Sequence, residues 1–270
     1  MNNISQSAYY QKYFRPSCSP ALNLRVASFD FFQPYFNKKP NEIVIPAELA
    51  NTPEDTLLNY FSILREAENI GVRSCGSIGD AKVPFPIAYN FLSEGYQQKI
   101  SYEEYLHSFA GRGHTTLIKL CRVPDMKKKI RFFYELETIE AIENKSAEYF
   151  GYYYGFIQLA SQKNGYRISD INQTAEDFLC APYHGWDQDA ESIVDVKYGS
   201  WCKLIEKRYP AVKKDYVKTI SFHGKDGADY SFIFFTLTNG TDLEIAQFRK
   251  SGDENWEQVN MKPEEECLKK

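Results

Sequence analysis

Hydrophobic positions in this chain recur first at helical spacing and then at strand spacing, and that order occurs twice. In NTPEDTLLNYFSILREAENIG, residues 51–71, Leu57, Tyr60, Phe61 and Leu64 fall on one helical face. Thr52 is placed to cap this helix, Pro53 takes its first position, and Glu54 and Asp55 face the positive end of its dipole. Gly71 is placed to end it. Residues 71–86, GVRSCGSIGDAKVPFP, read as a loop. SYEEYLHSF, residues 101–109, reads as a short helix with Ser101 and Glu104 as a capping box. Four strand-like runs follow at 114–123, 129–142, 147–161 and 166–171, joined by short polar connections that favour antiparallel pairing.

The order then restarts. Residues 189–209, DAESIVDVKYGSWCKLIEKRY, place Ala190, Val194, Tyr198, Trp201 and Ile205 on one helical face. Three strands are predicted at 216–224, 229–240 and 242–251, and a fourth at 256–261. HGKDG and TNGTD supply the Gly and Asn that hairpin turns need. Residues 1–50 read as an N-terminal arm packed on the first domain, with short strands in LRVASFDFF (24–32) and NEIVIP (41–46). Two apolar faces per repeat must bury one another. The expected fold is therefore α+β, with two tandem units, each a helix packed on a curved antiparallel sheet. The expected domains are 51–181 and a smaller 182–270.

The helix at 52–70, the short helix at 101–109 and the strands from 114 to 171, ending in QKNGYRISDI, resemble the nuclear-transport-factor-2-like α+β superfamily. The shorter second copy is similar to cystatin-like domains. The resemblance is one of topology and covers about two thirds of the chain. It implies a cone between helix and sheet, used in that superfamily by isomerases, dehydratases and hydrolases as well as by binding and assembly domains. Fold alone does not choose among these.

Composition narrows the classes. With 43% hydrophobic and 25% charged residues, the 270-residue chain supports a sizeable core. A net charge of −4 argues against a general nucleic-acid binder. No apolar run reaches the length of a membrane span. MNNISQSAYYQKYF has no apolar signal region, which points to a cytoplasmic protein, or to a secreted or surface-associated one if a signal has been removed. The six cysteines are scattered without a CxxC pair, so reduced, mostly buried thiols are expected. With four histidines and no metal-ligand spacing, neither a metal nor another cofactor is expected. Sequons at Asn3, Asn144, Asn172 and Asn239 matter only in a eukaryotic secretory setting.

The densest chemistry lies in EDFLCAPYHGWDQD, residues 176–189. Cys180, Tyr183, His184, Trp186 and Asp187 can form a corner between the two units, a ligand-pocket wall, or a Cys–His reaction site. Pro182 biases Ala181 away from helix, so the Cys–His spacing of four does not align them on a helix. The corner reading predicts that Trp186 is largely buried. In the cone, His107 and His114 at the mouth, Glu135 and Glu137 on a strand, and Tyr153 are weaker candidates for proton transfer or ligand stacking. The competing expectation puts Glu135 and Glu137 on the solvent face, opposite Phe132, Tyr134 and Leu136. The expected role is a non-enzymatic binding or assembly module of bacterial type, with a small molecule or a protein as partner and a sheet face available for homodimerisation. The alternative is a small-molecule enzyme with its site in the first cone.

Overall fold

The structure is a computed structural model that describes residues 15–25, 29–69, 82–141 and 148–268. The chain divides into two compact units. One takes the described residues up to Arg122 together with Lys129–Ala175; the other takes Val123–Lys128 and the described residues from Glu176 onward. The α+β class and the two antiparallel sheets are as expected.

In the first unit, α1 spans Pro53–Arg65, and Thr52 accepts a 3.0 Å hydrogen bond from the Asp55 amide. The helix stops six residues short of Gly71, which lies outside the described residues. The reason is a competing backbone partner. After Leu64 the turn tightens, and Asn69 exchanges hydrogen bonds with Gly111 and Arg112 at the start of the sheet. Residues 82–86 are not all loop, because α2 spans Pro84–Tyr89 with a proline at its first position and Phe85, Ile87 and Ala88 buried. Two short helices follow, α3 at Glu94–Gln97 and α4 at Tyr102–His107, the latter closed by the Ser101–Glu104 capping box.

The sheet comprises β1 (Arg112–Val123), β2 (Ile130–Ala141), β3 (Glu148–Gln162) and β4 (Gly165–Ala175), in that order. Its concave face packs Leu117, Tyr134, Leu136, Ile157 and Ile168 against Leu57, Phe61 and Leu64 of α1. The free edge of β4 is covered at Leu92, which bridges Ile168 in parallel.

Neither N-terminal strand forms among the described residues. Phe29–Phe32 is a helical turn that buries Phe32 completely, and residues 26–28 of the predicted strand lie outside the described residues. Ile43 and Ile45 are buried around an exposed Val44, as a strand would require. They have no ladder partner, because this segment packs by side chains onto the helices and not onto a sheet edge.

In the second unit, Asp189 caps α5 (Ala190–Val194), which continues as a π-helical segment, Asp195–Trp201. The predicted helix ends there. Lys203 turns the chain with φ 51°, and Ile205–Arg208 becomes β5, paired with β7. The remaining strands are β6 (Val212–Lys214), β7 (Val217–Gly224), β8 (Ala228–Thr236), β9 (Asp242–Ser251) and β10 (Glu257–Val259). The sheet order is β10-β9-β8-β7-β5, with β6 also on β7. Tyr198, Phe222, Tyr230 and Phe232 form the centre of its core. A final turn, α6 (Pro263–Glu266), closes the unit.

The described cysteines do not behave as buried thiols, and Cys75 lies outside the described residues. Cys202 and Cys267 form a disulfide across 65 residues, while Cys18 and Cys180 are exposed. Cys202 ends the π segment and Cys267 ends α6, and the Lys197–Glu264 ion pair joins the same two segments. Closing a loop of this length stabilises by about 4 kcal/mol in the chain-entropy account. The three tryptophans, Trp186, Trp201 and Trp256, all fall in the second unit and report on it selectively. Reducing the disulfide, or replacing both cysteines by serine, is expected to lower the tryptophan-monitored denaturant transition by about that amount. An unchanged transition on reduction would show that the disulfide contributes nothing.

Candidate functional site

The cone of the first unit encloses a cavity of about 210 Å³. α1 supplies Tyr60, Phe61 and Leu64 to its wall; the α3–α4 region supplies Tyr96, Ile100, Tyr105 and Phe109. The sheet supplies Arg112 and Thr115 from β1, Tyr134 and Leu136 from β2, and Ile171 and Gln173 from β4. These side chains point inward because they occupy the core positions of their elements. Tyr60, Phe61 and Leu64 are the helical stripe, and Tyr134 and Leu136 are alternate residues of a strand. Where an ordinary core has Leu or Phe, this one has tyrosines, and each carries a hydroxyl into the interior.

Those hydroxyls are not equivalent. Tyr134 donates to the Asn172 carbonyl at 2.8 Å, and Tyr96 to the Ile171 carbonyl at 3.4 Å. Tyr60 and Tyr105 bond only each other, at 3.2 Å. Burial pushes the pKa of all four well above the ordinary tyrosine range or raises it, so each remains a neutral donor at physiological pH. Arg112 adds charge at the wall. Its guanidinium lies over the rings of Phe109 and Tyr153, 5.4 and 4.8 Å from their centroids. It reaches Glu140 only at 3.6 Å, beyond hydrogen-bond distance. Glu140 is held instead by the hydroxyls of Thr138, Tyr149 and Tyr153, at 2.9, 3.0 and 3.1 Å. Burial and the Glu140 bond push the Tyr153 hydroxyl up to about 12.

Of the weaker sequence candidates, only Tyr153 adjoins the cavity, through Arg112. His107 ends α4 and is exposed. Glu135 and Glu137 do lie on the face opposite Tyr134 and Leu136, but that face is not solvated: their residues are 0% and 2% exposed. A buried carboxylate must be paired, and both are. Glu135 takes a 2.7 Å bond from Lys119. Glu137 takes bonds from Arg15 (2.5 Å), the Ser17 amide (3.1 Å) and the Tyr152 hydroxyl (2.9 Å). Burial pushes Glu137 up, but the Ser17 and Arg15 bonds and the Arg15 charge outweigh it and hold its pKa below the usual range. His114 belongs to this same face, one residue out of phase with Thr115. Desolvation first, then the charges of Arg65 and Arg15, lower its pKa to about 4.

The 176–189 stretch does not bury its aromatics as expected. Tyr183 is 85% exposed, and Trp186 is 42% exposed, against the expectation of burial. Among the described residues the ring of Trp186 meets that of Trp201, edge-on at 5.5 Å. Two 3₁₀ turns, at Ala181–Tyr183 and Trp186–Gln188, keep these aromatics on the surface. Hydrogen bonds tie the stretch to the β8–β9 turn: the Asn239 amide donates to Glu176, Asn239 Nδ2 donates to the Asp177 carbonyl, and His184 Nε2 meets Thr241 Oγ1 at 3.3 Å. Asp177 beside it raises the Cys180 thiol pKa, the opposite of what a nucleophile needs. Asp187 is exposed. Among the described residues no group of three or more His, Cys, Asp or Glu is arranged to hold a metal ion. No helix among them is long and apolar enough to cross a membrane.

No protein-family model, curated protein or solved structure matches the chain. The residues that define the cavity chemistry, Tyr60, Tyr96, Tyr105, Tyr134, Arg112 and Gln173, were therefore open to discovery only through the fold. The available signal was tyrosine at positions where periodicity demands core.

The half-buried His114 sets a pH dependence. The unfolded chain takes up this proton below about pH 6.5, and the folded chain only near 4. A histidine with a depressed folded pKa gives stability that is complete above pH 6.5 and is lost as pH falls towards 4. Denaturant melts should show the first unit losing about 2 kcal/mol between pH 7 and pH 5, with His114→Gln abolishing that slope. Equal slopes in both proteins would place the titration elsewhere.

Proposed function

We propose that the first unit is a small-molecule-binding module whose ligand occupies the tyrosine-lined cavity under α1. One observation carries this reading: a cavity of about 210 Å³ remains in a core otherwise packed with large aromatic side chains. An apolar cavity of roughly 150 Å³ already accepts benzene, so this one has room for a body of about two rings. The described wall supports binding over proton abstraction, because its tyrosines are held protonated and its one arginine is a permanent cation. The nuclear-transport-factor-2-like reading is supported by the order α1, α4 and a curved four-stranded sheet. The Cys202–Cys267 disulfide favours the secreted or surface-associated alternative over the cytoplasm, since disulfides persist in oxidising compartments.

The test uses 2-naphthol, whose own fluorescence reports transfer from water. One equivalent is expected to bind saturably to the full chain. Leu64→Trp, which fills the cavity from α1, is expected to weaken binding at least tenfold. The same loss from Ser108→Trp, at the exposed rim, separates occlusion from misfolding. Unaltered affinity in both variants would place the ligand outside the cone.

A further inference from the structure

The donors left over inside the cavity define what its ligand must carry. Two hydroxyls bonded to each other use one proton between them, and the second must go elsewhere. Tyr60 and Tyr105 are such a pair: both are almost fully buried, both line the cavity, and neither has another acceptor among the described residues. A buried donor left unmatched costs about 1–3 kcal/mol, so the pair is built to be completed by an acceptor. Arg112, on the same wall, repeats the pattern. Its side chain is 11% exposed, and its nearest carboxylate oxygen, on Glu140, stands 3.6 Å away. No donor of its guanidinium has a hydrogen-bond acceptor among the described residues. Tyr134 and Tyr96, by contrast, spend their protons on backbone carbonyls, so of the wall's four tyrosines only the Tyr60–Tyr105 pair keeps an unspent donor, beside Arg112.

Charge decides what kind of acceptor fits. Arg112 already faces the Glu140 carboxylate, which accepts from three hydroxyls. A second carboxylate brought into this wall would stand as an uncompensated buried charge. A neutral carbonyl oxygen has two lone pairs, accepts from a hydroxyl and a guanidinium together, and brings no charge. Phe61, Leu64 and Leu136 offer apolar surface to the remainder of such a molecule.

Resting on the cavity reading above, we propose that the first unit binds an uncharged ketone or related carbonyl compound on a flat apolar body of about two rings. The carbonyl oxygen accepts from the Tyr60–Tyr105 pair and Arg112. Binding is non-covalent and leaves every proton with its donor.

Calorimetric titration of the full chain with three probes tests this. They are 2-acetonaphthone, its hydrocarbon isostere 2-isopropenylnaphthalene, and the anion 2-naphthoate. The ketone is expected to bind about tenfold more tightly than the hydrocarbon, the value of one or two neutral hydrogen bonds. It is expected to bind more tightly than the anion as well. Its carbonyl infrared band should move to lower frequency on binding. The double variant Tyr60→Phe/Tyr105→Phe should reduce both the preference and the band shift while still binding the hydrocarbon. Equal affinity for ketone and hydrocarbon overturns the acceptor inference and leaves the cavity reading standing. Preference for 2-naphthoate overturns the neutral-carbonyl assignment in favour of an anion. Failure of all three probes, with 2-naphthol also unbound, overturns the cavity reading itself.

Discussion

The first unit depends on one cross-strand arrangement, Tyr134 over Gly155. The two residues are partners in the β2–β3 ladder. Any side chain at position 155 would run into the Asn172 carbonyl and the Tyr134 ring. Because that space is free, β4 comes close over β3 and the Tyr134 ring lies across the glycine, donating its hydroxyl to the same Asn172 carbonyl. One missing Cβ thus lets three strands bend together, and the irregularity between Gln158 and Leu159 adds twist in the same ladder. The cavity lies between this face and α1, with Tyr60, Phe61 and Leu64 of the helix on one wall and Tyr134 and Leu136 of the sheet on another.

The opposite face follows a different constraint. Phe133, Glu135 and Glu137 alternate with the concave-face residues, and all three are buried. Two carboxylates without solvent need cations and donors brought to them. Lys119 comes from the sheet itself, whereas Arg15 and Ser17 come from the N-terminal segment. That segment is therefore more than an arm resting on a finished domain. Asn23 makes the same point: it donates to the Phe61 and Thr115 carbonyls and accepts from the Leu117 amide, joining α1 to β1. Phe32, Ile43 and Ile45 add apolar contacts to the same core.

The elements that the sequence announced most clearly are those whose signals are local. Thr52 and Ser101 cap where they should, and 242–251 is a strand over the range its alternation marks. Misreadings occur where a distant partner decides. The end of α1 is set by pairing with residues 111–112, Glu135 and Glu137 by what covers their face, and Ile43–Ile45 by a ladder that does not exist. Lys203, with its positive φ, splits what looked like one amphipathic run into a π segment and a strand. The disulfide was hidden for the same reason, since 65 residues separate its halves and no spacing rule joins them. The candidate site was obscured by abundance. A stretch with Cys, His and Trp attracts attention because those residues are scarce, yet its thiol and aromatics are exposed and its bonds run to a hairpin turn.

Tyrosine, one of the commonest residues here, lines the cavity instead, and the interest lies in what burial does to a hydroxyl. A tyrosine in a core position is chosen by periodicity for its ring, and its oxygen must then find a partner or remain costly. Most of the buried tyrosines here find one within the protein: Tyr89 donates to Ile100, Tyr134 to Asn172, Tyr152 to Glu137 and Tyr230 to Asp226. The Tyr60–Tyr105 pair remains incomplete, and it lines the cavity beside an arginine whose donors are also unspent. Cavity and unmatched donors are each a cost to folding, and both fall at the same place.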